Sequence, residues 1–215
     1  LPQAKLKNEA QQVEHLGRRV DKLLLEVDGA QLPALAFFPA TAGNEAVVYL
    51  HSDSKHLDAG PGGPIARHLE AGRFVLAVDL EGLGETDRRH PRDWGRDLFG
   101  ANTQEFFLAY LLGRSLTGIR AEQAMAAARV AASHGLTNET RKVRIEAVGV
   151  PAGVAALHAA ALNEPPYPLT LRDSLASWND VLKNPAGGRN LTVVVQNALS
   201  TYDLPDLLRE TPKTP

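Results

Sequence analysis

The 215-residue chain contains no cysteine. That excludes disulfides, a thiol nucleophile and thiolate metal sites, while leaving the compartment open. An excess of charge of one sign is missing too. Lys and Arg number 23 against 25 Asp and Glu, for a net charge of -2. There is no basic field of the kind nucleic acid selects. No apolar run approaches the roughly 20 residues that cross a bilayer as a helix. Neither nucleic acid nor a membrane is therefore expected as a partner, and no cofactor is expected. No leader pattern is visible at Leu1, which fits a mature form or a fragment. What is present is ordinary for a globular protein: 44% hydrophobic and 22% charged residues, in a chain long enough for one substantial core. Asn138-Glu139-Thr140 and Asn190-Leu191-Thr192 match the glycosylation acceptor pattern, which is too short to carry weight alone.

Residues 1–16 are polar with few apolar anchors and read as a leading arm or linker, ahead of a single domain over 17–210 and a disordered tail over 211–215. "RRVDKLLLEV" (Arg18–Val27) and "LPALAFF" (Leu32–Phe38) flank Asp28-Gly29, a strong two-residue turn signal, and predict an antiparallel hairpin. Three short continuous apolar runs follow, Glu45–Leu50, Phe74–Val78 and Val143–Val148, each typical of a strand buried on both faces. Helices are expected over Ile65–Ala71, ended by Gly72, over Gln104–His134 with a break near Gly113–Gly118, and over the small-residue stretch Gly153–Leu162. Leu169–Leu171 fits a fourth parallel strand. Leu191–Gln196 has strand propensity, and Tyr202–Leu208 reads as a turn into a short helix. Arg88–Gly100 reads as polar and irregular. Alternation of strand and helix predicts an α/β fold with a mostly parallel sheet and an N-terminal hairpin.

In such sheets ligands gather beyond the carboxyl ends of the strands. Three such ends stand out. After Leu50 comes His51-Ser52-Asp53-Ser54-Lys55-His56, which reads either as a polar loop capping a strand or as part of a metal site with Asp58, though its spacing matches no strong metal signature. After Val78 comes "DLEGLGETD". Its Gly82-x-Gly84 opens no helix and lacks a third glycine in register, so it reads as a turn and not a dinucleotide loop. After Val148 comes Gly149-Val150-Pro151-Ala152-Gly153. Its frame is that of the nucleophile elbow Gly-x-Ser-x-Gly, a strained strand-to-helix turn that needs small neighbours. The small neighbours are there, but proline stands in the serine position. A strand, a glycine turn and a proline-initiated helix explain the same stretch without any hydrolase ancestry.

Taken in order, "VVYLHSDSK", "GPGGPIARHLEAGRFVLAVDLEGLGET", "FFLAYLLGRSLTGIRAEQ", "VGVPAGVAALHAAAL" and "LTLRDSLASWNDV" resemble the α/β-hydrolase superfamily. More narrowly they resemble the acetylxylan-esterase-like and prolyl-oligopeptidase-like hydrolases of bacteria. The resemblance covers most of Val47–Val181, and "YDLPDLL" (Tyr202–Leu208) extends it. It implies a three-layer α/β-hydrolase-like fold, truncated at its C-terminal end, and leans towards a secreted or periplasmic setting. It places His51 and Ser52 on the loop that shapes the oxyanion pocket, with Ser52 where that group has glycine. It places Pro151 at the nucleophile position. The group's acid and histidine follow two further strand–helix units, whereas no histidine lies beyond His158 here.

Three functions compete. The first is a degenerate, non-catalytic hydrolase-like unit with a vestigial elbow (Gly149, Pro151, Ala152, Gly153). It would work with a catalytic hydrolase domain in the same or a neighbouring chain, or help bind a carbohydrate ester. The second is an active serine esterase with relocated machinery, using Ser52 or Ser54 beside His51 or His56, with Asp79 as orienting acid. The third is a metal-dependent hydrolase built on His51, Asp53, His56 and Asp79.

Overall fold

The computed structural model describes residues 3–7, 11–88, 99, 101–183 and 190–212. Eight strands form one sheet: β1 (Lys5–Leu6), β2 (Gln11–His15), β3 (Arg18–Val27), β4 (Ala30–Phe37), β5 (Glu45–His51), β6 (Phe74–Val78), β7 (Lys142–Val148) and β8 (Leu169–Arg172). Their order is β1-β3-β4-β6-β5-β7-β8, with β2 also on β3. β6, β5, β7 and β8 are mutually parallel, and the pairings from β1 through β4 to β6 are antiparallel. The turn between β3 and β4 places Asp28 at φ 48° and Gly29 at φ 82°. Two positive φ values in a two-residue loop match the right-handed twist of the flanking strands.

The described residues form six helices: α1 (Pro64–Glu70), α2 (Thr103–Leu111), α3 (Leu116–Ser133), α4 (Val150–Leu162), α5 (Trp178–Lys183) and α6 (Leu204–Glu210). Of these, α1, α3 and α4 pack on the sheet. The period-2 geometry of β5 sends Ala46, Val48 and Leu50 into the large cluster under α3 and α4. Val47 and Tyr49 go to a second cluster with Ile65 and Leu69 of α1. Both faces of β5 and β6 are therefore buried, which is why these strands read as unbroken apolar runs. Alanines at 121, 124, 127, 128, 131, 155, 156, 159 and 160 are buried between α3, α4 and the sheet. Their small side chains let the helix axes approach closely.

Four expectations need correction. The supposed leading arm does not stand apart: β1 and β2 divide the outer edge of β3 between them, Lys5 opposite Glu26 and Val13 opposite Val20. Leu191–Gln196 is not a strand. It holds a short 3-10 turn, Leu191–Val193, in which Val193 is buried and its carbonyl accepts from Thr117 Oγ1 at 2.6 Å. Contact with α3 satisfies there what a sheet partner would otherwise have supplied. The helix expected from Gly153 begins at Val150, ahead of Pro151. At the other end Thr211 is buried, with its hydroxyl on Leu208 O at 2.9 Å, so the expected tail is ordered at its first residue. Residues 213–215 of that tail, and most of the irregular stretch 88–100, lie outside the described residues.

Candidate functional site

Three loops leave the carboxyl ends of β5, β6 and β7, and backbone hydrogen bonds knit the first to the third. Ser52 N donates to Val148 O, and Gly149 N donates to Arg172 O at the end of β8, both at 2.9 Å. Gly149 caps α4 with φ 83° and ψ 169°. A Cβ there would come within 2.5 Å of Ser52 Oγ, so residue 149 must be glycine for backbone angle and for space alike. Gly153, one turn on, meets the same demand from Ser174, whose Oγ would overlap a Cβ there. The two glycines of the elbow frame are thus present because two serine side chains lie against the helix.

At residue 151 the chain cannot form an active elbow. Proline fixes φ near its helical value and has no nucleophilic atom and no N–H. Positive φ falls on Gly149 instead, and Pro151 sits inside the first turn of α4. The amide that follows an elbow nucleophile ordinarily supplies one oxyanion donor. Here that amide, Ala152 N–H, donates to Ser52 Oγ at 3.1 Å. Ser52, beside His51, thereby takes up that amide.

The other residues singled out in the sequence do not assemble into a triad. His51 Nδ1 accepts from Asp53 N at 3.0 Å and Ser54 N at 3.4 Å, capping its own loop. Ser54 Oγ and His56 Nδ1 do meet, at 2.7 Å, but Ser54 is buried at 9% exposure. Asp79 does not orient either histidine. It is wholly buried and accepts from Lys55 N and Lys55 Nζ, both at 2.7 Å, and from Glu85 N at 3.0 Å. Lys55 Nζ also binds Glu85. Asp79 therefore bolts the 51–56 loop to the 79–86 loop, with Gly84 at φ 56° packed against its carboxylate. Among the described residues no group of three or more His, Asp or Glu is placed to hold a metal ion, so His51, Asp53, His56 and Asp79 do not converge as a ligand set.

His158, the last histidine, is a core residue. Its Nδ1 donates to Val154 O at 2.7 Å, which leaves Nε2 to accept from Tyr202 OH at 3.0 Å. Its ring packs against Trp178 and Tyr202. Burial pushes its pKa below the ordinary 6.5 and keeps it neutral.

Two polar networks, one buried and one partly buried, gave no signal in the sequence. Arg120 of α3, with no exposed surface to speak of, donates to Glu81 O and Asn102 Oδ1, both at 2.8 Å, and burial lowers its pKa to about 10. It pins the 79–86 loop to α3 with the help of Gln123, whose Oε1 accepts from Glu81 N. On the opposite face Arg172 binds Tyr49 OH, and Glu146 at 3.0 Å, while His68 of α1 reaches Glu146 at 2.8 Å. Burial alone would raise the Glu146 pKa. The hydrogen bonds and charges of His68 and Arg172 outweigh it and hold that carboxyl below its usual range. Burial and the bond to Asp58 push the Tyr49 phenol upward. A lone Tyr in "EAVVYL" or Arg after "LTL" gives no hint of partners 123 residues apart.

No protein-family description matches the chain, and no curated protein matches it. Solved structures do. A candidate acetyl xylan esterase from Bacteroides fragilis superposes with a TM-score of 0.71 at 16% identity, over 99% of this chain and 60% of its own. Acetyl xylan esterase from Paenibacillus sp. R4 gives 0.62 at 15% identity, over 96% and 67%. Acetyl xylan esterase 1 from Thermoanaerobacterium sp. JW/SL YS485 gives 0.54 at 18% identity, over 92% and 62%. The chain thus spans about three fifths to two thirds of the length of these neighbours. At such low identity the likeness concerns architecture alone, and with the strand order and the Gly149–Gly153 turn it establishes that this chain carries an α/β-hydrolase fold.

Proposed function

We propose that the chain is a non-catalytic α/β-hydrolase-like domain, a degenerate unit that works alongside a carbohydrate-ester hydrolase. The observation that carries this reading is the bond from Ala152 N–H to Ser52 Oγ beside Pro151. In one turn the nucleophile is replaced and an oxyanion donor is occupied by the protein itself. Oxyanion stabilisation is commonly worth about 3–4 kcal/mol per donor, so its occupation and the lost nucleophile act in the same direction. The neutral, core-bonded His158 supplies no base. The names of the neighbours supply the substrate class: the associated hydrolase acts on acetylated carbohydrate, and its domain, in the same or a neighbouring chain, is the partner.

The test is hydrolysis of a simple acetyl ester by the purified chain. The rate should equal that of buffer, and Pro151→Ser alone should not raise it, because His158, the last histidine, is held neutral in the core. Strong turnover by either protein would sink the reading. One contact favours a second reading, an active serine esterase: Ser54 Oγ at 2.7 Å from His56 Nδ1. Under it, His56→Ala would abolish an acetyl esterase activity that the wild-type chain displays.

A further inference from the structure

Helix α2 places its large apolar side chains on the wrong side for a solvent-facing helix. It buries Phe106 and Ala109, yet Leu108 is 60%, Tyr110 54%, Leu111 78% and Leu112 78% exposed. An ordinary surface helix reserves that face for charged and polar residues, and contiguous exposed apolar patches mark interaction sites. Beside this row lies a cavity of about 290 Å³ between α2, α3 and the β3–β4 turn. Leu108, Leu112, Leu116 and Ile119 belong to its apolar lining. That volume is at the small end for a whole small-molecule ligand, but it suits one or two anchoring side chains of a protein partner.

The rim decides the partner's chemistry. Four carboxylates, Asp28, Glu81, Glu105 and Glu122, line the cavity against two guanidinium groups, Arg88 and Arg114. Arg114 is already bonded to Glu122, and Arg88 lies 3.9 Å from Glu81. Asp28 and Glu105 have no ion-pair partner among the described residues. Against a second copy of the chain, this rim would set carboxylate near carboxylate, which opposes association. A basic partner meets no such penalty.

We propose that the groove beside α2 docks an amphipathic helical segment of a partner protein. An apolar row of that segment fills the cavity, and flanking Lys or Arg face Asp28 and Glu105. The surface stands independently of whether the elbow is inert, since it shares no residue with the 51–56 and 149–153 turns.

The experiment titrates the full chain with two synthetic helical peptides, one with a Leu face flanked by Lys and one with the same Leu face flanked by Glu. The Lys peptide should bind about tenfold or more tightly than the Glu peptide, and added salt should narrow the gap. The double variant Leu108→Ser/Leu112→Ser, which changes only exposed side chains, should lose most of that binding while keeping the wild-type circular dichroism. Glu105→Lys should shift preference towards the Glu peptide. Equal binding of the two peptides, or Lys-peptide binding that survives the Leu108→Ser/Leu112→Ser change, would overturn the proposal. So would a concentration-dependent dimer of the wild-type chain that disappears in that double variant.

Discussion

Gly149 and Ser52 are best understood as one unit. Residue 149 has φ 83°, and Ser52 Oγ lies where its Cβ would be. Gly149→Ala should therefore cost about 1–3 kcal/mol for a positive-φ, extended backbone that essentially only glycine adopts and about 1–3 kcal/mol for overpacking. Ser52→Gly in the same chain should return the overpacking part and leave the backbone part. Urea unfolding of the two single variants and the double variant measures this coupling. Strict additivity would show that the serine does not occupy this space. The sequence displayed the glycines, the proline and Ser52 plainly, but not their meeting. Ser52 and Ala152 are 100 residues apart, and Lys55 and Asp79 are 24 apart. Motif reading finds residue types at fixed spacing, whereas these contacts depend on how β5, β6 and β7 lie side by side.

At the scale of elements, legibility followed burial. β5 and β6 were visible because helices cover both faces and every interior position is apolar. β2 was not: "QQVEH" lies at the sheet margin, with Gln12, Glu14 and His15 exposed, so nothing apolar marks it beyond Val13. Leu191–Val193 misled in the opposite direction. Its β-branched residues pack against α3 and gain no strand partner, which shows β propensity to be a statement about packing. The polar bridge joining α1, β7 and β8 through His68, Glu146 and Arg172 makes a pH prediction. The Glu146 pKa is lowered from 4.5 in the folded chain. A carboxylate so depressed contributes stability that is present above its unfolded pKa and lost as pH falls through the folded value. The urea midpoint should therefore decline as pH drops below about 4.5. Glu146→Gln should flatten part of that decline. The remainder belongs to other depressed carboxylates such as Asp203, which accepts from Trp178 N and Leu204 N. An unchanged pH slope in Glu146→Gln would show that the bridge does not couple these elements.

For the whole molecule, the proposed function amounts to a scaffold kept without its chemistry. The sheet order, the two helical layers and the turn after β7 are those of the α/β-hydrolase fold, and the core is packed with small residues where strand and helix meet. Among the described residues, the side chains singled out at the strand ends have structural partners. Asp79 holds Lys55, His51 caps its own loop, His158 bridges α4 to Tyr202, and Ser52 closes the Ala152 amide. Ser54 lies beside a histidine, His56, and is buried. The central claim, that no serine of this chain acts as a nucleophile, is tested most directly by intact mass after exposure to a fluorophosphonate. The account predicts an unmodified mass. A stoichiometric adduct, mapped to Ser54 or to any other serine, would contradict it.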